Sequence, residues 1–461
     1  MRTGTDYLAA LKDDREIYID GQRVHDVASH PAFAPIAATV AELFDLAADP
    51  ATAMTYTAPE TGDEANLVHS IPRSQDDLAS RRRAIQTWAR HTHGWVGRGP
   101  DHIGSFLAGF AAHPEAFAAE PHDLAANVVS YYRRLLRESL FVSSALIPPQ
   151  VSRATTAHGW DGEFIQAGVA AERPDGIVIR GAQMLATGAA VADEIFVSCI
   201  KPLTPQDRDF AVSFTVPVAA AGLKLYCRRP YAPAASSRYD YPLSTRYDET
   251  DALVVFGDVL VPWERVFVDR DVAGLRRQFF DTGAHVLGNW QAQIRFVVKL
   301  QFILGLARKI AAVNGTDMFP GVQERLGELA SIASLIEAGV LAAEYQAAPD
   351  RSGLWRHRAP RGRGTWCAPA GPARRGPPAR REIRRVAKCE WPRSRAFLPA
   401  GGGPYGGSMI VGQNWRYSPK TTHDHGRALG TGVPGEACVR ARQRRAPSHG
   451  YPAGYSADRL S

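Results

Sequence analysis

Cysteine is scarce and carries no pairing pattern. There are five in 461 residues and no CxxC spacing, which argues against a disulfide framework and against a thiolate zinc site, so no metal is expected. Long apolar runs are missing as well: no stretch reaches the roughly 18 uninterrupted apolar residues of a spanning helix. The opening "MRTGTDYLAALKDDREIYIDGQ" holds charge where a signal sequence has its apolar core, so a cytoplasmic location without membrane association is expected. No GxGxxG follows a strand and opens a helix. A nicotinamide-binding domain is therefore not expected, and reducing equivalents would have to come from another protein.

What is present is the balance of a soluble globular protein, 45% hydrophobic and 22% charged. The length exceeds one ordinary core, and a prior of roughly 150 residues per domain suggests two or three. The net charge of +7 conceals a split: residues 1–350 carry 32 Lys or Arg against 42 Asp or Glu, whereas residues 351–461 carry 22 against 5. From about Ser352 the text is dominated by Arg, Pro, Gly and Ala, with only 11 Leu, Ile, Val or Phe in the last 111 residues. Such a segment buries too little apolar area to offset its ordering entropy. It reads as a basic tail for nucleic acid or anionic membrane, as a disordered tail, or as a reading-frame error in a GC-rich gene.

Before that break the pattern is orderly. Residues 31–145 read as helices, with Ile36, Val40, Leu43 and Phe44 on one face and Val128, Val129, Tyr132, Leu135 and Leu136 on another. From Phe164 to Val268 the runs become short and alternating, as in "GIVIRG", "FAVSFTV", "LKLYC" and "ALVVFGDVLVP", which reads as a β domain. Helical rhythm then returns at 286–312, through Phe296, Leu300, Ile303, Ala307 and Ile310, and at 319–346. Two such helices want bundle partners. The expected organisation is an N-terminal helical domain at 1–150, a middle β domain at 151–275, the start of a helical bundle at 276–348, and the anomalous segment at 349–461.

Two stretches carry chemistry. In "GIVIRGAQMLATGAAVADEIFVSCI", residues 176–200, the middle from Leu185 to Ala190 holds mostly small side chains. A β-bulge or sheet corner would want them for its own packing; a flat ligand would want the room. In "GRGPDH", residues 97–102, Pro100 suits the first position of a helix and Asp101 its first turn, placing Arg98 just before the helix and His102 inside that turn. The helix N-terminus disfavours a charged imidazole, so His102 would be neutral and able to take a proton. The plainer alternatives are a surface ion pair for Arg98 and a satisfied helix-terminus side chain for His102.

Seven strings in order carry a family resemblance: "RTGTDYLAALKD", "SHPAFA", "ELFDLAADP", "GRGPDH", "IPPQVSR", "GIVIRGAQMLATGAAVADE" and "DVLVPWERVFV". Residues 1–350 thereby resemble the oxygenase component of two-component, flavin-dependent 4-hydroxyphenylacetate 3-hydroxylases. The resemblance implies an α+β, acyl-CoA dehydrogenase-like fold whose C-terminal bundle is incomplete here. It implies FAD, received as FADH2 from a separate NAD(P)H:flavin reductase, with O₂ as co-substrate. A C4a-hydroperoxyflavin would then hydroxylate a small phenol ortho to its hydroxyl. It places Ser144, Ala145, Leu146, Gln150, Val151, Ser152, Arg153, Leu185, Ala186 and Thr187 against the flavin, and Arg98, His102, Ser144, Ile200 and Lys201 around the phenol, with Arg98 and His102 catalytic. Homo-oligomers are typical where the bundle is complete. The family continues well past residue 350 with helices, which favours a frame error among the three readings of the tail.

Two departures bear on substrate. Relatives that act on 4-hydroxyphenylacetate commonly show Tyr at His102 and His at Ser144, and a His-Gln pair at the start of the first bundle helix stands here as Trp290 and Gln291. A different phenol or heteroaromatic is expected. The alternatives are an acyl-CoA dehydrogenase proper, against which "GRGPDH" and "IPPQVSR" speak; a 4-hydroxybutyryl-CoA dehydratase, whose cluster cysteines are not matched by Cys199 and Cys227; and a degenerate flavin fold whose basic tail binds nucleic acid.

Overall fold

The computed structural model describes residues 1–152, 155–160, 164–232 and 237–357; Arg153 and residues 358–461 lie outside them. The chain opens with α1 (Gly4–Ala10) and a hairpin of β1 (Glu16–Ile19) and β2 (Gln22–Val24), followed by α2 (Ala34–Ala48), β3 (Thr55–Thr57), β4 (Glu64–Asn66), α3 (Gln75–His91), α4 (Pro100–Ala111) and α5 (Leu124–Glu138). Next come β5 (Val142–Ala145), β6 (Gly168–Arg173), β7 (Gly176–Thr187), β8 (Glu194–Val197), β9 (Ser213–Pro217), β10 (Leu223–Cys227), α6 (Ser244–Tyr247), β11 (Asp251–Pro262) and β12 (Val266–Val268). The described chain ends with α7 (Val272–Phe280), α8 (Ala284–Val313), α9 (Pro320–Tyr345) and a hairpin of β13 (Ala347–Pro349) and β14 (Trp355–His357).

Local chemistry sets the helix starts. Thr3 and Asp6 form a capping box on α1, while the Ser74 and Asp123 side chains accept backbone N–H groups at the starts of α3 and α5. Pro100 stands at the start of α4, where its missing N–H costs nothing.

Two sheets make the middle layer, a six-stranded one in the order β2-β1-β10-β11-β7-β6 and a four-stranded one in the order β12-β9-β8-β5. Their inner faces share one core, in which Ile177 and Ile179, Val254 and Phe256, Ile195 and Val197, and Phe214 and Val216 are all buried. The N-terminal region is thus not purely helical. Asp20 and Gly21, both at positive φ, close the β1–β2 hairpin, and β1 then pairs in parallel with β10, about two hundred residues along the chain.

α8 runs from the β domain across α4 and α3 and then packs against α9. Close approach to α4 depends on Gly109, where an added Cβ would lie 2.2 Å from the Ala284 nitrogen. The first half of α8 is buried through Leu287, Trp290, Gln291, Ile294, Val297 and Val298, whereas α9 buries only Ala333 and Val340. By length and composition α9 is also apolar enough to cross a membrane. Its packing on α3 and α8 and the Arg82–Glu344 ion pair at 2.6 Å seat it as a bundle helix.

The composition break near Ser352 falls inside packed structure. Leu354 is fully buried, the Trp355 N–H donates to Pro72, and Asp350 pairs with His113 and Arg356.

Candidate active site

The first turn of α4 faces the first half of α8. Gln291, fully buried on α8, donates from Nε2 to Asp101 Oδ2 at 2.8 Å, and its Oε1 lies 3.4 Å from His102 Nδ1. An amide whose nitrogen serves Asp101 offers His102 only an acceptor, so Nδ1 carries the hydrogen and Nε2 keeps a lone pair. Burial, and then the nearby Arg98, hold the His102 pKa well below its ordinary value, so the ring is neutral at physiological pH. Burial raises Asp101. Arg98 precedes the helix; burial, and then Arg295, pull its guanidinium down to about 10, and it remains a cation near neutrality.

Sequence reading missed the groups around these. Arg295, one turn along α8 from Gln291, donates to the Gly94 carbonyl at 2.8 Å, and its Nε has no hydrogen-bond partner among the described residues. Lys299, another turn along, lies 4.0 Å over the Trp95 ring with its pKa lowered to about 7, first by burial and then by Arg295. Glu249, just before β11, accepts the N–H of Gly97 at 2.8 Å and of Arg98 at 2.6 Å on separate carboxylate oxygens. Two charged residues four apart, Arg295 and Lys299, interrupt an otherwise apolar helix face; that was a readable signal. Arg98 and Arg295 stand as cations beside Asp101 and Glu249, and Lys299, with its pKa near 7, adds further positive charge as pH falls.

The end of β7 comes beside this cluster. Leu185 has φ of 63°, and the ladder slips there: Ala186 pairs with Ala252 but Gln183 with Val254, which leaves an extra residue on β7. Leucine in the left-handed region is costly, and such strain points to a functional constraint. A β-bulge and a run of small side chains therefore coexist, where sequence reading weighed them as alternatives. The Thr187 hydroxyl donates to Asp251 Oδ1 at 2.6 Å. Gly188, at φ 74°, brings the turn back so that its Cβ position would lie 3.9 Å from the Arg98 carbonyl.

The segment through β5 runs between β7 and β8. Met184 N–H donates to Ile147, Ser143 Oγ to Thr187, and on the other side the N–H groups of Ser198 and Ile200 donate to Ala145 and Leu146. These bonds bring together Ser144, Leu146, Leu185, Thr187 and the approach to Ile200, which is 49% exposed, while Ala145 and Ala186 lie fully buried in the core beneath them. Beyond it Gln150, Ser152 and Lys201 line a cleft of ≈ 160 Å³ with Pro148, Trp160 and Ile165, while Val151 is exposed. Lys201 Nζ donates to the Thr155 carbonyl at 3.3 Å. Arg153 lies outside the described residues. Amide, hydroxyl and ammonium donors over an apolar and aromatic wall suit an amphipathic, anionic cofactor, and the orphaned Arg295 nitrogen shows that the neighbouring cluster has donors to spare. The residues present fit a flavin.

Comparison with known proteins identifies the family. The family profile described as 4-hydroxyphenylacetate 3-hydroxylase N terminal matches residues 3–268, and its C-terminal companion matches 275–360. Over 332 residues the chain is 40% identical to a Streptomyces globisporus monooxygenase of (3S)-3-amino-3-(3-chloro-4-hydroxyphenyl)propanoyl-[peptidyl-carrier protein], covering 71% of this chain and 62% of that relative. It is 32% identical over 355 residues to the 4-hydroxyphenylacetate 3-monooxygenase oxygenase component of Geobacillus sp. (strain PA-9), covering 76% and 72%. The crystal structure of such an oxygenase component complexed with FAD and 4-hydroxyphenylacetate superposes with a TM-score of 0.73 at 34% identity, over 78% of this chain and 74% of that one. The fold is accordingly α+β and acyl-CoA dehydrogenase-like, and a degenerate protein with a nucleic-acid-binding tail is not favoured. The described part of the chain, with Arg98 and His102 at the head of α4 and the bulged end of β7 beside them, belongs to the 4-hydroxyphenylacetate 3-hydroxylase family.

Proposed function

We propose that this chain is the oxygenase component of a two-component phenol monooxygenase, which takes reduced FAD from a separate NAD(P)H:flavin reductase and hydroxylates a phenol ortho to its hydroxyl. The observation that carries the reading is the pairing of a cation, Arg98, with a neutral imidazole, His102, at the head of one helix beside the bulged end of β7. Bound FADH2 would supply the two electrons that activate O₂, so that one oxygen atom of O₂ goes to the phenol and the other leaves as water. The chain's own residues would do the rest. His102 Nε2 would accept the phenol proton, Gln291 and Asp101 holding the ring in that tautomer. Arg98, with Arg295 and Lys299 behind it, would hold the resulting phenolate and so keep the ring electron-rich.

Ser144 to Leu146 and Leu185 to Thr187 would form the wall for the flat ring system, with Gln150, Ser152 and Arg153 holding the remainder of the cofactor. The buried setting of His102, with half-buried Arg98 beside it, would limit the access of water to the reacting groups. His102 and Ser144, where relatives commonly show Tyr and His, and Trp290 before Gln291, where they show His, favour a phenol other than 4-hydroxyphenylacetate. The Streptomyces relative, named for a chlorinated phenol held on a carrier protein, shows that the family reaches such substrates. The test is a panel of phenols supplied with a flavin reductase, NADH, FAD and O₂. An ortho-diol product from at least one phenol supports the proposal; oxidation of reduced FAD with no hydroxylated product from any of them overturns it.

A further inference from the structure

The segment Glu249 to Asp251 touches both halves of the site. Its first residue binds the Gly97 and Arg98 N–H groups through two carboxylate oxygens. The Glu249 and Thr250 carbonyls accept the Gly188 N–H at 2.7 and 2.9 Å, immediately after the bulged strand end. Asp251 accepts the Thr187 hydroxyl on one oxygen and Arg228 Nε, at 3.2 Å, on the other. Buried Thr250 is held at φ 32°, in the sparsely populated left-handed region, so the segment is fixed against a local conformational cost.

We infer that Glu249 is a positioning residue, setting the Arg98 loop relative to the Leu185–Thr187 turn. This rests on the reading in which Arg98 holds the phenolate. Two consecutive backbone N–H groups need two acceptors side by side; a carboxylate supplies both, whereas an amide of the same shape replaces one with a donor. Charge works in the same direction. Arg98 and Arg295 repel one another, and the Glu249 carboxylate attracts both. Take away its charge and the guanidinium of Arg98 loses the counter-ion beside its own backbone anchor. Since the same residue's carbonyl receives Gly188, the distance from phenolate holder to ring wall is set by one segment of three residues.

The experiment compares Glu249→Gln, Glu249→Asp and Arg98→Ala with the unchanged full chain. Three quantities are measured: product formed per O₂ consumed, KM for the phenol, and the affinity for reduced FAD under anaerobic conditions. 4-Nitrophenol bound with reduced FAD in the absence of O₂ adds an optical reading of whether the phenol is held as phenolate, independent of turnover. Losing one charged hydrogen bond at a preorganised site predicts that Glu249→Gln lowers hydroxylation by about 10- to 100-fold. The bound nitrophenolate signal should weaken, and reduced-FAD affinity should stay within about threefold. Glu249→Asp, which keeps both oxygens and the charge, should recover part of the loss. If Arg98→Ala uncouples the enzyme while Glu249→Gln leaves coupling and the nitrophenolate signal intact, the inference about Glu249 is overturned and the functional reading stands. If Arg98→Ala is also without effect, the functional reading falls and takes the inference with it. Equal losses of stability, FAD affinity and coupling in both Glu249 variants would mark a merely structural role and overturn the inference as well.

Discussion

The head of α8 and its tail are one continuous helix with opposite surroundings. Near Gln291 the helix is buried on α4 and α3, and its polar side chains, Gln291, Arg295 and Lys299, face a charged pocket. Among the described residues it is largely uncovered past Leu300, and so is most of α9. Val313 is 75% exposed, Leu335 68% and Tyr345 81%. Apolar periodicity is as strong in the second region as in the first, which teaches that rhythm alone does not say whether a stripe has found a partner. Uncovered stripes of this size promote association and aggregation.

Five changes would break or sharpen that contrast, in order of expected size. Arg98→Ala should cost about 2 to 4 kcal/mol of transition-state stabilisation, roughly 30- to 1,000-fold in hydroxylation. O₂ consumption should continue with more hydrogen peroxide released; product and peroxide assays check it. Gly109→Ala should force α4 away from the start of α8 and destabilise by about 1 to 3 kcal/mol, seen as a lower urea midpoint, with coupling reduced because Gln291 moves from His102.

Acid is the third lever. His69, fully buried behind α4 at Gly104, has a pKa lowered to about 3, first by burial and then by Arg81, while the unfolded chain takes up that proton near 6.5. Its contribution is complete above 6.5 and is lost as pH falls toward about 3, with a slope of up to about 1.4 kcal/mol per pH unit. His102 is lowered in the same direction. Urea midpoints from about pH 7.5 to about pH 5 should fall on this slope, and His69→Leu should flatten it.

The uncovered region should behave in the opposite way. At Gly305 on α8 and Gly327 on α9 an added Cβ meets nothing within 4 Å among the described residues, so Gly→Ala at either should raise stability by about 0.5 to 1 kcal/mol, read from urea unfolding. Leu335→Lys should leave stability within about 0.5 kcal/mol while raising the soluble fraction on expression.

Much of this was legible, for identifiable reasons. Pro100 and the Arg98 and His102 positions announced the head of α4, and the 4-3-4-3 spacing announced α8. β7 opens on the apolar run Ile177–Ile179, and β11 alternates buried and half-buried side chains on either side of Gly257–Asp258. What escaped depends on distant partners. The β1–β2 hairpin carried a local Asp20–Gly21 signal, yet its place in the β domain is decided by β10, far along the chain. Glu249 stands in an unremarkable acidic run, and only the fold brings Gly97 and Arg98 to it. The left-handed Leu185 could not be foreseen, because leucine avoids that conformation unless its surroundings impose it. The expected frame break near residue 350 falls at the end of the described structure, and residues 358–461 after it lie outside. Reading the gene across codons 345–360 in its other frames should restore an apolar-periodic helical sequence, and finding none would remove the frame-error reading.

The most direct measurement is a single turnover. The protein is mixed anaerobically with reduced FAD and a phenol, then exposed to isotopically heavy O₂, and the product is weighed by mass spectrometry. A diol carrying one heavy oxygen ortho to the original hydroxyl, formed by the unchanged chain and strongly reduced in Arg98→Ala, is the predicted result. Complete oxidation of the flavin with no heavy oxygen in any phenol offered would contradict the account.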